Sequence, residues 1–289
     1  MDRIVVEGAD GVRLRGDAVG DEGDPPVILL HGGGQTRWSW QSTLEVLGRS
    51  GWRACSFDLR GHGESDWSPD ADYAFASFAA DVARVAEAVG EQPALVGASL
   101  GGLAALLAVG EHLGPRPLAR ALVLVDVAPR IETEGAERVR AFMQRHVETG
   151  FGSLDEVLDA VQEYNPHRPR PADTSGIERN LRRGEDGRWY WHWDPAYMLG
   201  RPRAAAEQGL SLERERLQAA ARALTVPTLL VRGRMSDILS EEGAREMLEL
   251  APHARYVDVA DAGHMVAGDR NDAFNAAVVD FLASVRGVG

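Results

Sequence analysis

Three polar residue types in this sequence have the surroundings that nucleophilic catalysis requires. Ser99 lies in GASLG (97–101), a G-x-S-x-G pattern between an apolar run and a helical run. A serine hydroxyl is a weak nucleophile and needs a base, and His264 follows the last apolar run, where an imidazole would share the serine's edge of a sheet. A carboxylate must then orient the imidazole and stabilise its cation. The pattern predicts acyl transfer through a serine, a histidine and an aspartate.

Two aspartates compete for the third position. Asp237, in VRGRMSDILS, follows the penultimate apolar run, and Asp126, in LVLVDVAP, ends an earlier one. Asp258 and Asp261 are too close to His264 along the chain to approach its ring from the side. We favour Asp237, and Asp126 remains the rival.

A glycine-rich segment, HGGG (31–34), follows another apolar run and is a candidate oxyanion site. Attack on a carbonyl group creates an oxyanion that needs preset hydrogen-bond donors. We expect the amides of Gly33 and Leu100 to supply them, with the amide of Gly34 as a further candidate. The other interpretation of these glycines is a flexible turn.

The segment DLRGHGES (58–65) is also conspicuous. We interpret it as a structural turn in which Arg60, His62 and Ser65 satisfy loop carbonyl groups. No second cluster of ligands accompanies it, so we predict no metal site.

A cluster of aromatic residues occurs in RWYWHWDPAY (188–197). Period-two spacing places Trp189, Trp191 and Trp193 on one face of an extended segment. Two interpretations remain open: these rings form an apolar substrate pocket over Ser99, or they provide ordinary packing, which aromatic residues dominate. Further candidates for the substrate pocket are Trp38, Phe142 and Met265.

These residues need a sheet whose strands end at one edge. A hairpin is predicted in the first 19 residues, followed by short apolar runs at 25–30, 52–57, 93–98, 121–127, 227–233 and 254–259. Helical patterns lie between them, at 36–49, 75–89, 100–113, 240–250 and 271–286. This alternation is typical of an α/β protein with a mostly parallel sheet flanked by helices.

Residues 130–224 interrupt this alternation with helical and irregular sequence. We interpret them as an inserted, mainly helical lid, or cap domain. The core then comprises residues 1–129 and 225–289.

Composition limits the partners. The 289 residues carry a formal charge of −13 and a pI near 5.1, which disfavours nucleic acid because phosphate binding needs clustered cations. Cys55 is the only cysteine, no apolar run approaches the roughly 20 residues of a membrane span, and the first residues lack the apolar core of a signal peptide. We expect a cytoplasmic monomer or homodimer without a membrane partner.

Five ordered motifs together resemble the α/β-hydrolase superfamily: HGGG (31–34), DLRGHGES (58–65), GASLGG (97–102), RGRMSD (232–237) and AGHM (262–265). The resemblance covers essentially the whole chain and is closest to the lid-bearing branch. That branch holds small esterases, carbon–carbon bond hydrolases, cofactor-free perhydrolases and epoxide hydrolases. It implies an eight-stranded sheet with a lid inserted after the sixth strand. Epoxide hydrolases carry Asp at the nucleophile position, so Ser99 departs from them.

The resemblance implies hydrolysis of small, largely apolar carboxylic esters through an acyl-serine, with no cofactor. Carbon–carbon cleavage of vinylogous diketones, or lactonase or perhydrolase activity, would use the same residues. A non-catalytic ligand receptor on a hydrolase scaffold is the alternative from another class.

Overall fold

The protein is described here from a computed structural model that covers residues 1–166, 170, 173–200, 203–260, 262–264 and 271–286, without the side chains of residues 203–212 and 271. Eight strands form the main sheet: β1 (Asp2–Glu7), β2 (Arg13–Val19), β3 (Pro26–Leu30), β4 (Arg53–Phe57), β5 (Ala94–Ala98), β6 (Ala121–Val125), β9 (Thr228–Gly233) and β10 (Arg255–Val259). Two more, β7 (Leu181–Arg183) and β8 (Trp189–Trp191), form a separate antiparallel pair.

The strands of the main sheet lie in the order β1-β2-β4-β3-β5-β6-β9-β10. Strand β2 is antiparallel to both of its neighbours, and the other neighbouring pairs are parallel. The predicted eight-stranded, mostly parallel sheet is therefore confirmed. Each predicted strand run coincides with an observed strand to within about two residues at either end.

The helices are α1 (Gln41–Arg49), α2 (Phe75–Val89), α3 (Leu100–Gly110), α4 (Thr133–Gln144), α5 (Leu154–Tyr164), α6 (Ser175–Glu178), α7 (Pro195–Leu199), α8 (Arg203–Arg222), α9 (Glu241–Leu250) and α10 (Asn271–Val285). Short 3₁₀ turns occupy Ala9–Gly11 and Arg37–Trp40. Among the described residues, no helix combines the length and the apolar character needed to span a bilayer.

Helices cover both faces of the sheet. The sequence of β3 is continuously apolar because both faces of the strand are buried. Ile28 and Leu30 face one hydrophobic cluster, and Val27 and Leu29 face the other. The first cluster includes side chains of α2, α3, α8 and α9, and the second includes side chains of α1 and α10. The sheet is a rigid central layer whose strand ends can hold loop residues in place.

The inserted segment (residues 130–224) joins β6 to β9, which are neighbours in the sheet. Its described part contains helices α4 to α8 and also the hairpin β7–β8. Sequence analysis predicted an extended segment at the tryptophans of β8 but not its pairing with β7. Aromatic residues favour strands, and the chain reverses at GEDG (184–187), where Gly187 has a φ of 77°. Strand β7 has only three residues, too few for a periodic pattern to identify it.

Backbone hydrogen bonds attach the inserted segment to the core. The amide of Gly63 donates to the carbonyl of His192 at 2.7 Å, and the amide of Asp194 donates to the carbonyl of Gly61 at 2.8 Å. The hydroxyl of Tyr73 also donates to the carboxylate of Asp194 at 2.5 Å. These contacts fix the start of α7 against the loop that follows β4.

Candidate active site

Ser99 occupies a strained bend between β5 and α3. Its φ of 46° and ψ of −115° lie in a region that residues with a Cβ rarely adopt. Its amide donates to the carbonyl of Val125, the last residue of β6, at 3.2 Å. The bend therefore fixes Ser99 at the carboxyl end of two adjacent strands.

The glycines around Ser99 are required by close backbone packing. A Cβ on Gly101 would lie 2.5 Å from the carbonyl oxygen of Leu30, and a Cβ on Gly97 would lie 2.5 Å from that of Gly101. A Cβ on Gly102 would meet the side chain of Val127 at 2.6 Å. Glycine at these positions lets α3 begin directly against β5 and its neighbours.

His264 and Asp126 form a hydrogen-bonded pair. Nδ1 of His264 lies 2.7 Å from Oδ2 of Asp126, whose side chain is fully buried. The same carboxylate accepts the amide of Gly233 at 2.9 Å and the hydroxyl of Ser236 at 2.5 Å. Because Nδ1 faces a carboxylate, it carries the proton, and Nε2 is left as the basic nitrogen.

Asp126 directly follows Val125, the residue whose carbonyl accepts the Ser99 amide. The loop after β9 also touches the histidine loop, since the amide of Met235 donates to the carbonyl of Ala262 at 2.8 Å. The structure thus brings the serine backbone, the aspartate and the histidine to one edge of the sheet.

The preference for Asp237 as the partner of His264 is contradicted by the structure. The carboxylate of Asp237 pairs instead with the guanidinium of Arg138 on α4, and its side chain is 35% exposed. The turn after β9 directs the Gly233 amide and the Ser236 hydroxyl toward Asp126 and leaves Asp237 facing the inserted segment. Asp126, the rival, holds the imidazole.

The glycine loop lies against Ser99. A Cβ on Gly32 would lie 3.3 Å from Cβ of Ser99. The amide of Gly34 donates to Nε2 of His62 at 3.1 Å, so the structure contradicts its candidacy as an oxyanion donor. Within the residues described here, the amides of Gly33 and Leu100 have no protein acceptor. Both predicted donors therefore remain candidates.

Two buried histidines support this loop through hydrogen bonds. His31 accepts the amide of Leu59 on Nε2 at 3.0 Å and donates from Nδ1 to the carbonyl of Gly32 at 2.7 Å. Burial lowers the pKa of His31 to about 4. Burial, together with the nearby His31, lowers the pKa of His62 to about 3. Both rings are neutral near pH 7 and act as fixed hydrogen-bond acceptors for backbone amides.

The DLRGHGES segment is the structural turn that the sequence predicted. Nδ1 of His62 donates to the carbonyl of Arg60 at 2.9 Å, and the hydroxyl of Ser65 donates to that of Asp58 at 2.7 Å. The guanidinium of Arg60 donates to the carbonyl of Asp72 at 3.2 Å and pairs with the buried Asp81 at 2.6 Å. In the ranges described above, no group of three or more His, Cys, Asp or Glu side chains is arranged to bind a metal ion.

The predicted pocket tryptophans have different environments. Trp191 is 5% exposed and packs inside the inserted segment, with its ring stacked on that of Trp193 at 5.0 Å and edge-on to Phe151 at 5.2 Å. Trp193 reaches the glycine loop, because its Cζ3 would lie 3.4 Å from a Cβ on Gly34. The stack thus connects the interior of the inserted segment to the candidate oxyanion loop.

Three further pocket candidates, Trp38, Trp189 and Phe142, have ring contacts with side chains outside the glycine loop. Trp189 lies against the guanidinium of Arg183, Trp38 contacts those of Arg37 and Arg179, and Phe142 is stacked on Tyr164. Met265 falls outside the described residues. Their assignment to a substrate pocket stays a prediction.

Two residues of the inserted segment that sequence analysis did not place here lie over the glycine loop. Cε of Met143 would be 2.8 Å from a Cβ on Gly34, and the hydroxyl oxygen of Tyr197 would be 2.7 Å from a Cβ on Gly33. Neither Met143 nor Tyr197 lies in a sequence pattern that indicates a contact with these glycines. Both contacts depend on how the inserted segment folds over the core.

Comparisons with known proteins agree with the observed fold. A family model described as alpha/beta hydrolase fold matches residues 25–270. Esterase Rv0045c of Mycobacterium tuberculosis (strain ATCC 25618 / H37Rv) is 31% identical over 93% of this chain and 85% of its own length. The 3-hydroxybutyrate-oligomer hydrolase of Cupriavidus necator is 28% identical over 85% of this chain and 84% of its own. The crystal structure of E-2-(acetamidomethylene)succinate hydrolase superposes with a TM-score of 0.82 at 24% identity, covering 98% of this chain and 99% of that one.

Proposed function

The chain belongs to the α/β-hydrolase-fold family, and we propose that it is a serine hydrolase that cleaves small, largely apolar carboxylic esters through an acyl-serine intermediate. The relatives named esterase and 3-hydroxybutyrate-oligomer hydrolase support an enzyme that acts on ester bonds. We retain the expectation of a cytoplasmic monomer or homodimer, and we propose that the inserted segment is the lid over its site.

The observation that carries this proposal is the His264–Asp126 pair beside the strained bend at Ser99. The buried carboxylate fixes one imidazole nitrogen as a donor, which prepares the other to accept a proton. A strained backbone angle at a serine is costly and persists where the surrounding structure enforces it. Together they supply a presented hydroxyl and an oriented base.

The proposed reaction has two stages. Oγ of Ser99 attacks the ester carbonyl carbon while Nε2 of His264 accepts the hydroxyl proton, and that proton then passes to the departing alcohol oxygen as the carbon–oxygen bond breaks. His264 next accepts a proton from a water molecule as the water oxygen attacks the acyl-serine carbonyl carbon. It then returns that proton to Oγ of Ser99 as the carbon–oxygen bond breaks, which releases the carboxylic acid and regenerates Ser99. Asp126 stabilises the imidazolium in both stages, and the amides of Gly33 and Leu100 bind the oxyanion.

The preference for apolar esters rests on the residues over the glycine loop. Met143 and Trp193 present sulfur, methyl and aromatic carbon atoms to Gly34. The net charge of −13 also disfavours anionic substrates.

The decisive test is Ser99→Ala, assayed with a short-chain p-nitrophenyl ester. We expect turnover to fall by roughly 10⁵-fold or more, since the nucleophile is lost, and labelling by a fluorophosphonate to disappear. Ser284→Ala is the matched control, because this serine lies on α10, where its hydroxyl donates to the carbonyl of Phe281 and accepts a hydrogen bond from the guanidinium of Arg255. A Ser99→Ala protein that keeps about a tenth of the wild-type turnover would overturn the proposal.

A substrate panel separates the alternatives that use the same residues. We expect a simple ester to be cleaved with a higher kcat/KM than a lactone or a vinylogous ring-fission diketone. Preferential cleavage of the diketone would assign carbon–carbon hydrolysis instead. Rapid fluorophosphonate labelling without turnover of any of these substrates would favour the receptor alternative.

A further inference from the structure

We propose that the hydroxyl of Tyr197 is a third hydrogen-bond donor to the oxyanion, supplied by the inserted segment beside the amides of Gly33 and Leu100. This inference rests on the proposed function, because it concerns the tetrahedral intermediate of ester cleavage. It assigns Tyr197 a direct contact with the reacting carbonyl oxygen.

The position of the hydroxyl is the first observation. A Cβ on Gly33 would lie 2.7 Å from Oη of Tyr197 and 3.7 Å from its Cζ, so the tip of the side chain points at this glycine. The preceding residue, Gly32, is adjacent to Ser99, with 3.3 Å between its Cβ position and Cβ of the serine. The hydroxyl therefore lies beside the residue whose amide is a candidate oxyanion donor.

The backbone that carries Tyr197 is fixed to the core. Asp194 begins α7, where its Oδ1 accepts the amide of Ala196 at 2.9 Å and its carbonyl accepts the amide of Tyr197 at 3.0 Å. The amide of Asp194 is bound to Gly61 of the core, and its Oδ2 accepts the hydroxyl of Tyr73. A donor held this firmly needs little reorganisation when charge develops on the substrate.

The ring of Tyr197 is also enclosed by the core. It makes edge-to-face contacts with His62 at 5.0 Å, Tyr73 at 5.7 Å and Phe78 at 6.1 Å between ring centroids. These three contacts limit the movement of the Tyr197 ring. A hydroxyl on a ring that is held in place is preorganised to donate a hydrogen bond to an oxyanion.

Gly33 itself fits this assignment. Its φ is not in the left-handed region, so backbone conformation alone does not require glycine at this position. The close approach of Oη of Tyr197 requires glycine here, because a methyl group at Gly33 would overlap the hydroxyl. The glycine thus leaves room for the tyrosine tip next to the backbone amide.

The principal experiment is Tyr197→Phe, which removes the hydroxyl and keeps the ring. For a short-chain p-nitrophenyl ester we expect kcat to fall by roughly 100-fold, as for loss of an oxyanion donor, with KM and the melting temperature little changed. The inhibition constant of a trifluoromethyl ketone, which forms an anionic tetrahedral adduct with the serine, should rise by the same factor as kcat/KM falls. A merely structural role of the hydroxyl would not produce that correlation.

Tyr190→Phe is the matched control. It makes the same chemical change in the inserted segment, where the Tyr190 hydroxyl donates to the carboxylate of Asp186 at 2.9 Å, away from the glycine loop. We expect its kcat and inhibitor affinity to equal those of the wild type. A loss as large as that of Tyr197→Phe would overturn the inference.

A double-mutant cycle with Gly33→Ala tests the contact itself. The added methyl group should displace the hydroxyl in the wild-type background, whereas a phenylalanine at position 197 leaves space for it. We therefore expect the effects on kcat/KM to be much less than additive. Additive effects would show that the two positions act independently and would overturn the inference.

The outcomes distinguish this inference from the proposed function. A Tyr197→Phe enzyme with wild-type kcat and inhibitor affinity, alongside an inactive Ser99→Ala protein, would remove Tyr197 from the mechanism and leave the serine hydrolase intact. An active Ser99→Ala protein would overturn both.

Discussion

Nδ1 of His264 donates a hydrogen bond to Oδ2 of Asp126 over 2.7 Å, across a separation of 138 residues in the chain. The carboxylate is fully buried and also accepts the Gly233 amide and the Ser236 hydroxyl. A buried carboxylate is stable when its oxygens are hydrogen-bonded in this way. The orientation of the imidazole therefore depends on the end of β6 and on the turn after β9.

This relationship predicts a clear difference between two aspartate variants. Asp126→Asn should lower kcat on the order of 10⁴-fold, because an amide cannot stabilise the imidazolium and favours the wrong tautomer. Asp237→Asn should change kcat only a few-fold, since it breaks a partly exposed ion pair with Arg138 worth about 0.2–1 kcal/mol of stability. Steady-state kinetics on a p-nitrophenyl ester measures both, and a larger loss for Asp237→Asn would contradict the geometry.

Ser236 is expected to position Asp126. Its hydroxyl donates to Asp126 and accepts the amides of Ile238 and Leu239, each at 3.1 Å. Ser236→Ala should lower kcat by roughly tenfold with KM unchanged, because a hydrogen bond to a charged group is lost. Ser236→Thr keeps the hydroxyl and should restore most of kcat. Equal kcat values for the two variants would exclude this role.

The sequence predicted the inner strands of the sheet well because they are buried on both faces. Runs such as PPVILL (25–30) and PALVGA (93–98) have no polar alternation and end at glycine-rich turns, so β3 and β5 were located from sequence alone. The bend at Ser99 was also located from the sequence, since close packing around it requires glycine at fixed positions. The strand runs and the G-x-S-x-G pattern each occupy a few consecutive residues, so both can be identified from the sequence.

The aspartate that contacts His264 could not be identified from its neighbouring residues in the sequence. Asp126 and Asp237 each follow a strand, and the direction of each carboxylate depends on the backbone around it. Asp126 adopts a φ of 51° directly after β6, and the turn after β9 presents Ser236 rather than Asp237 to it. Tyr197 was missed for a similar reason, because its contact with Gly33 joins parts of the chain that only folding brings together.

The two stacked tryptophans should respond differently to substitution. Trp191 is buried within the inserted segment, so Trp191→Ala should lower the free energy of unfolding by about 3–5 kcal/mol without altering the preferred acyl-chain length. Trp193 reaches Gly34, so Trp193→Leu should shift the preference toward longer acyl chains. Urea unfolding and a series of p-nitrophenyl esters measure the two effects. A shift in chain-length preference for Trp191→Ala alone would reverse the assignment.

His62 should make the stability of the protein fall in mildly acidic solution. Burial and the nearby His31 lower its pKa to about 3 in the folded protein, whereas an exposed histidine has a pKa of about 6.5. As the pH falls below about 6.5, the unfolded chain binds a proton at His62 that the folded protein does not bind until about pH 3. The free energy of unfolding should therefore fall by about 1.4 kcal/mol per pH unit from this residue within that window.

His62→Gln keeps an acceptor for the Gly34 amide and a donor for the Arg60 carbonyl but cannot titrate. Between pH 6 and pH 5, urea unfolding should show the wild type losing about that much more stability than this variant. The contribution of His31 is common to both proteins and cancels in the difference. Parallel pH dependences of the two proteins would mean that His62 is not held neutral by the fold.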